Sequence, residues 1–330
     1  MDATPAAHPR GGRGPMMHRL SVPDYLSTLP LSIKTIITLP ADASHRTFHR
    51  LITEDGSLIL MDAPPPLEDI RPYVQVADVL KSRDLSAPLI LHQDAVHGYV
   101  VMEDLGEDTF TRVLANTPET EPALYQSALS VLVHLTHQEP PTDLPPYDLA
   151  LLMREVALYP DWAVSFSPQQ RTLWDDVWTE VLETTVLSSP QKTLVLRDYH
   201  VDNMIWLPQR EGVQQCGLLD FQDAVIGHPA YDLVSLLWDA RRDVPNKGRW
   251  LLTYLNETEF EAERFMPIYF VLGLQRTLKI IGIFHRLNRR DGKAQYLQHL
   301  PRLQKFVDVF LAQPACAPLA KTLGDLLRGP

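Results

Sequence analysis

The stretch LRDYHVDNMIWLPQREGVQQCGLLDFQD, residues 196–223, carries Asp198, Asn203 and Asp220 at the ends of short apolar runs. Aspartate and asparagine present hard oxygen atoms, the ligands Mg²⁺ takes while it keeps waters and shares phosphate oxygens. A third carboxylate beside such an ion orients or deprotonates an attacking hydroxyl. A metal clamp with a positioned base is what phosphoryl transfer requires. Taken singly, each residue is an ordinary turn former at a strand end. The combination D-x4-N, apolar strand, polar turn and LLDF is what separates the set from turn chemistry.

Strands have to place these groups. TLVLRD is a buried-strand pattern that ends in a charge, so Asp198 sits where a strand leaves the core. Asn203 opens a second apolar run, MIWL. PQREGVQQ is a polar turn, and CGLLDF leads to Asp220. An antiparallel hairpin of this kind brings the start of its first strand beside the end of its second, joining Asn203 to Asp220 with Asp198 near both.

The flanking chain divides in two. From about Leu20 to Val101 it reads as strands (SIKTIITL, TFHRLIT, LILM), then a helix in LEDIRPYVQVADVLKSRD, then two strands around a His-Gly turn. The helix repeats Ile70, Val74, Ala77 and Leu80 or Lys81 along one face. Residues 107–190 are mostly helical, with proline-rich breaks at EPPTDLPPYD and SFSPQQ, and the chain from Tyr231 onward is helical again. The division predicted is a disordered tail at 1–18, a nucleotide-binding lobe at 19–105 and a catalytic and substrate-binding lobe at 106–330. A ligand site is expected in a cleft between the lobes.

Composition bounds the function. Of 330 residues, 45% are apolar and 22% charged, as in a soluble globular protein. The net charge of −11 argues against nucleic-acid binding, which needs a positive footprint, but not against ATP, whose phosphates are held by local groups and metal ions. Cys216 and Cys316 are too few for a disulfide framework and point to a reducing cytoplasm. FMPIYFVLGLQRTLKIIGIF, the longest apolar candidate, is interrupted by Arg276 and Lys279, so no membrane span is expected. The first eighteen residues lack the apolar core of a signal peptide.

RDYHVDN followed by LLDFQD resembles the catalytic and metal-binding loops of the aminoglycoside phosphotransferase and protein-kinase-like superfamily. The resemblance implies an α+β, two-lobed protein-kinase-like fold, with a small N-terminal β-sheet lobe carrying one helix and a larger, mainly helical C-terminal lobe. It implies ATP and Mg²⁺, with Asp198 as catalytic base and Asn203 and Asp220 as Mg²⁺ ligands. VVMEDLG, GLLDFQDAVIGHPAYDLVSLLWDARRDVP and GLQRTLKIIGIFHRLNRRDGKAQYLQHLPRL extend it over roughly residues 40–305. Together they are similar to the bacterial kinases that phosphorylate the anomeric hydroxyl of N-acetylmuramate and N-acetylglucosamine in peptidoglycan recycling.

Other positions follow from the same comparison. ADASHRTFHR lies where the nucleotide loop belongs and has no glycine; Ser44, Arg46 and Thr47 offer donors to phosphates there, or the stretch is a plain hairpin turn. The position of the usual phosphate-binding lysine holds Met61 and Asp62, and Arg46 is the candidate substitute. Glu68 is available beside it without an assigned role. MEDLG resembles the hinge that contacts adenine through backbone at Glu103 and Leu105, and is equally an acidic linker. Leu196 stands where many kinases have histidine, and His200 reads as scaffold. Asp232 is a carboxylate at a helix N-terminus, which the resemblance makes a brace for the catalytic loop. Asp223 is a candidate for binding sugar hydroxyls, or an ordinary loop residue. Arg276, Lys279, Arg286 and Arg290 fall within roughly an 80° arc if their helix continues through Gly282. They form a solvated basic face, or Arg276 and Lys279 reach the site and bind an acidic acceptor or the transferred phosphate. The partner implied is a small sugar. The alternatives are a kinase for another small hydroxyl compound, or a non-catalytic nucleotide-binding scaffold.

Overall fold

The early β-branched runs form one antiparallel sheet in a computed structural model that describes residues 19–40 and 45–327. The strands are β1 (Thr35–Thr38), β2 (Thr47–Ile52), β3 (Ser57–Asp62), β4 (Ile90–Asp94) and β5 (Tyr99–Glu103), in the spatial order β1-β2-β3-β5-β4. Each alternates sides, so one face collects the apolar residues. That face packs Leu51, Leu60, Tyr99 and Val101 against Tyr25 and Leu26 of a short helix, α1 (Val22–Ser27). The Ser21 hydroxyl caps α1, a proline occupies its first turn, and Tyr25 stacks on Tyr99 at 4.5 Å. Gly98 makes the β4–β5 turn at φ 73, where a Cβ would overlap the Ala63 carbonyl.

The described residues up to 71 together with Ile90–Asp104 form one compact unit; Pro72–Leu89 and the described residues from 105 onward form the other. Helix α2 (Arg71–Lys81) lies, from Pro72 onward, in the larger unit. Its apolar face explains this: Tyr73, Val74, Val76, Ala77 and Leu80 are buried, and Tyr73 stacks on Phe221 at 4.8 Å. The predicted tail at 1–18 lies outside the described residues.

The larger unit is mainly helical, which makes the whole an α+β protein. Its further helices are α3 (Phe110–Asn116), α4 (Glu121–Thr136), α5 (Leu149–Val156), α6 (Pro168–Val181), α7 (Ala230–Leu237), α8 (Lys247–Thr258), α9 (Ala262–Asp291), α10 (Leu300–Leu311) and α11 (Ala317–Leu327). Two small antiparallel pairs lie among them. β7 (Met204–Trp206) pairs with β8 (Cys216–Leu218), the expected hairpin. β6 (Thr193–Val195) pairs with β9 (Val225–Gly227), a strand too short to show in the sequence. The proline-rich break is ordered by this second pair: Tyr147 N donates to Ile226 O at 2.8 Å, and Ile226 N to Pro145 O at 2.9 Å.

Helix α9 dominates the unit. By length and composition it is able to cross a membrane, but most of its apolar stretch is buried inside the protein. It runs unbroken through Gly282, where a Cβ would overlap the Leu158 backbone. The glycine thus serves close packing and does not break the helix. We expect Gly282→Ala to destabilise the protein by about 1–3 kcal/mol, the usual range for overpacking, as a lowered midpoint in urea; an unchanged midpoint would refute the packing argument.

Candidate active site

Strand β6 ends at Val195, and the next two residues are held through their backbone. The amides of Leu196 and Arg197 donate to the two oxygens of Asp232, at 2.6 and 2.9 Å. Asp232 lies in the first turn of α7 and is 2% exposed. Burial pushes its carboxyl up to about 7, against two N–H donors that favour the ionised form. Asp232 thus ties the start of α7 to the two residues that precede Asp198. Arg197 adopts a left-handed backbone at φ 70, a conformation costing roughly 1–3 kcal/mol outside glycine. It is secured at three points: its N–H by Asp232, and its guanidinium by the Glu155 carboxylate and by Asp223 O at 3.1 Å.

Asp198 follows. Its backbone carbonyl accepts from His200 N at 3.1 Å and from Asn203 Nδ2 at 3.0 Å. Burial alone would raise the Asp198 carboxyl, but Lys279 and Arg276 outweigh it and hold the group below the usual range. A carboxylate that is ionised at neutral pH is the result. His200, 8% exposed, is lowered by burial and by Arg241 and is therefore neutral, in keeping with a scaffold role.

The β7–β8 register brings the other two oxygens in. Met204 pairs with Leu218, and Leu219 N donates to Asn203 O at 3.0 Å, so Asn203 and Asp220 meet at the open end of the hairpin. Asp220 has a left-handed backbone at φ 56, and its Oδ1 accepts from Gln222 at 2.9 Å. With its amide nitrogen committed to Asp198 O, Asn203 presents Oδ1 as its remaining donor atom. Among the described residues no group of three or more His, Cys, Asp or Glu could hold a metal ion by itself. A carboxylate and an amide oxygen, without a full protein cage, suit a hard ion that completes its shell with water and phosphate oxygens. The donor set fits Mg²⁺.

Glu155 is the residue that sequence reading missed. It is 4% exposed on α5 and accepts from Lys279 Nζ at 2.7 Å, from Gln275 Nε2 at 3.3 Å, from the Tyr147 hydroxyl and from Arg197. Burial would raise its carboxyl; Lys279 and Arg197 bring it down to about 2. A signal existed in LALLMREV, where a glutamate shares the apolar helix face with Leu152. Lys279 and Arg276 are 7% and 5% exposed, so neither belongs to a solvated face, whereas Arg290 is exposed. Asp223 keeps an exposed carboxylate at the same loop.

The smaller unit carries the remaining candidates. Ser44 lies outside the described residues. Arg46 Nε pairs with Glu68 Oε2 at 3.2 Å, and Glu68 also accepts from His45 N at 3.2 Å. Thr47 starts β2 opposite Asp62, whose carboxylate is engaged by Arg19. Glu103 ends β5, and Leu105 follows Asp104, which Arg50 Nε holds at 2.6 Å.

Residues 35–268 match the phosphotransferase enzyme family. An N-acetylmuramate/N-acetylglucosamine kinase of Pseudomonas putida is 34% identical over 305 residues, covering 88% of this chain and 87% of that protein. One of the same name from Caulobacter vibrioides is 34% identical over 327 residues, covering 86% and 89%. Among solved structures, the ADP-bound aminoglycoside phosphotransferase APH(2'')-Ib is similar with a TM-score of 0.59 at 14% identity, covering 87% of this chain and 97% of that one. A choline kinase from Streptococcus pneumoniae gives 0.60 at 14%, covering 88% and 98%. The fold shared with these is the α+β kinase-like one.

Because Glu155 neutralises two buried cations, Glu155→Gln is expected to cost about 3–5 kcal/mol at neutral pH, read from urea unfolding. A depressed carboxyl contributes stability above its unfolded pKa and loses it as pH falls through the folded one. The gap between wild type and variant should therefore narrow as pH drops from about 4.5 toward about 2; a gap that stays constant would contradict the pairing.

Proposed function

This chain belongs to the phosphotransferase enzyme family, and from that premise we propose that it transfers the γ-phosphoryl group of ATP to the anomeric hydroxyl of N-acetylmuramate or N-acetylglucosamine. The products are ADP and the sugar 1-phosphate. The bond formed joins the anomeric oxygen to phosphorus, the bond broken is that between the β–γ bridging oxygen and phosphorus, and the hydroxyl proton passes to Asp198. The observation that carries this reading is Asp198 held ionised at the end of β6, its carbonyl tied to Asn203 and its loop braced by Asp232. The identity to relatives named for these two sugars supports the acceptor.

Asp198 orients the hydroxyl and accepts its proton, a role worth roughly 10²–10⁴ in rate. Asn203 and Asp220 would hold Mg²⁺, which when bound neutralises charge on the β- and γ-phosphates. Arg46, steadied by Glu68, is the candidate cation for the phosphates in place of the kinase lysine, and Ser44 and Thr47 are further candidate donors from the sequence. Backbone at Glu103 and Leu105 is the candidate adenine contact, and Asp223, exposed beside the catalytic loop, the candidate for sugar hydroxyls. The buried cations Arg276 and Lys279 favour an acidic acceptor over a polycationic aminoglycoside. We place the reaction in the cytoplasm, in peptidoglycan recycling; both cysteines are buried free thiols.

The test is ³¹P NMR of the protein with Mg-ATP and, separately, N-acetylmuramate, N-acetylglucosamine, choline and an aminoglycoside. A sugar 1-phosphate signal is expected with the two amino sugars. It should fall at least roughly 10²-fold in Asp198→Asn. Signal with choline or the aminoglycoside alone would discard the acceptor while keeping the catalytic residues.

A further inference from the structure

Three long cationic side chains act on Asp198: Lys279, Arg276 and Arg197. Two of them are occupied. Arg197 and Lys279 share the Glu155 carboxylate, and Lys279 Nζ also meets the Tyr231 hydroxyl at 3.2 Å. Arg276 is different. It is 5% exposed, yet among the described residues it has neither an ion pair nor a side-chain hydrogen bond. No guanidinium nitrogen of Arg276 is sealed from solvent, in contrast to Nε of Arg197 and of Arg286. Its side chain is therefore packed in the fold, while its head carries no partner among the described residues. Its charge is felt by Asp198, His200, Tyr231 and Asp232. Asp232 has both oxygens engaged by backbone amides, and the nearby Arg241 has Asp202 at 3.6 Å. A guanidinium that is largely withdrawn from water and has no ion pair of its own is stabilised when an anion arrives.

We infer that Arg276 is the receptor for the acceptor's carboxylate: its guanidinium takes the lactyl carboxylate of N-acetylmuramate, the one group that N-acetylglucosamine lacks. This rests on the amino-sugar reading of the site. The spacing is the right kind. The lactyl ether at C3 is separated from the anomeric carbon by C2, so its carboxylate reaches a cation beside the base and not in contact with it. Arg276 lies beyond ion-pair distance of Asp198 but within its electrostatic reach. Glu155 makes the assignment selective, because it engages Lys279 and Arg197 and leaves one fork for the ligand.

The experiment compares kcat/KM for the two sugars in wild type, Arg276→Gln and Arg276→Lys. Any effect of Arg276 on Asp198 is common to both sugars and cancels in the ratio. The ratio of N-acetylmuramate to N-acetylglucosamine should fall roughly ten- to a hundredfold in Arg276→Gln, the range for a hydrogen bond to a charged group. It should fall less in Arg276→Lys, which keeps the charge and loses the fork. An unchanged ratio, with both sugars impaired alike, overturns the inference and assigns Arg276 to the base or the transferred phosphoryl group. Should Arg276→Gln not fold, wild type alone decides by the same ratio taken between N-acetylmuramate and its neutral lactyl amide. Should wild type phosphorylate neither sugar, the acceptor reading falls separately. Calorimetric titration without ATP then judges Arg276: tighter binding of N-acetylmuramate than of N-acetylglucosamine, lost in Arg276→Gln, supports it, and equal or absent binding overturns it.

Discussion

Glu155 places one desolvated negative charge between Lys279 and Arg197, and much of the catalytic loop's geometry follows from that arrangement. A lone carboxylate in this position would be prohibitive, and so would either cation without it. The three side chains come from α5, from the segment after β6 and from α9, so satisfying their charges fixes three distant pieces of chain against one another. Tyr147 and Gln275 complete the carboxylate's hydrogen bonds, and Tyr147 is itself held by the backbone of β9. The same contact secures the guanidinium of a residue in a left-handed conformation, which is why a side chain is tolerated immediately before Asp198.

Charge balance around Asp198 is set from two directions. Lys279 and Arg276 on α9 keep it ionised despite burial, and Asp232 on α7 controls where its loop lies without touching its carboxylate. His200 adds hydrogen bonding and no charge, since burial and Arg241 keep it neutral. A carboxylate held ionised by fixed cations is charged without any rearrangement of the fold, which is electrostatic preorganisation in its simplest form.

In the smaller unit, the position where a kinase lysine was expected belongs to a local set of ion pairs. Asp62, at that position, is taken up by Arg19, whose guanidinium also lies 4.5 Å over the Tyr99 ring. The basic partner for a glutamate is instead Arg46 on the adjoining strand segment, with Glu68 at 3.2 Å. The smaller unit thus carries an arginine–glutamate pair, Arg46 with Glu68, beside a strand position held by Asp62.

Much of this was legible in the residues alone. The period-2 runs marked β1–β3 and the β7–β8 hairpin, and the turn between the last two dictated that Asn203 and Asp220 would meet, because strand pairing is a local consequence of alternation and turn chemistry. Asp198 at a strand exit and Asp232 at a helix start were visible for the same reason. The grouping of α2 with the larger unit was not, since it depends on Tyr73 finding Phe221 far along the chain. β9 was hidden because three residues carry no periodicity. The fate of α9's basic residues was the most opaque. Helical spacing put Arg276 and Lys279 on one face, but whether that face met water or the interior depended on Glu155, more than a hundred residues earlier. Local pattern determined the elements and the order of their chemical groups. Only the packed chain decided which charges neutralise one another, because burial and Coulomb energy depend on distances in space that spacing along the sequence does not contain.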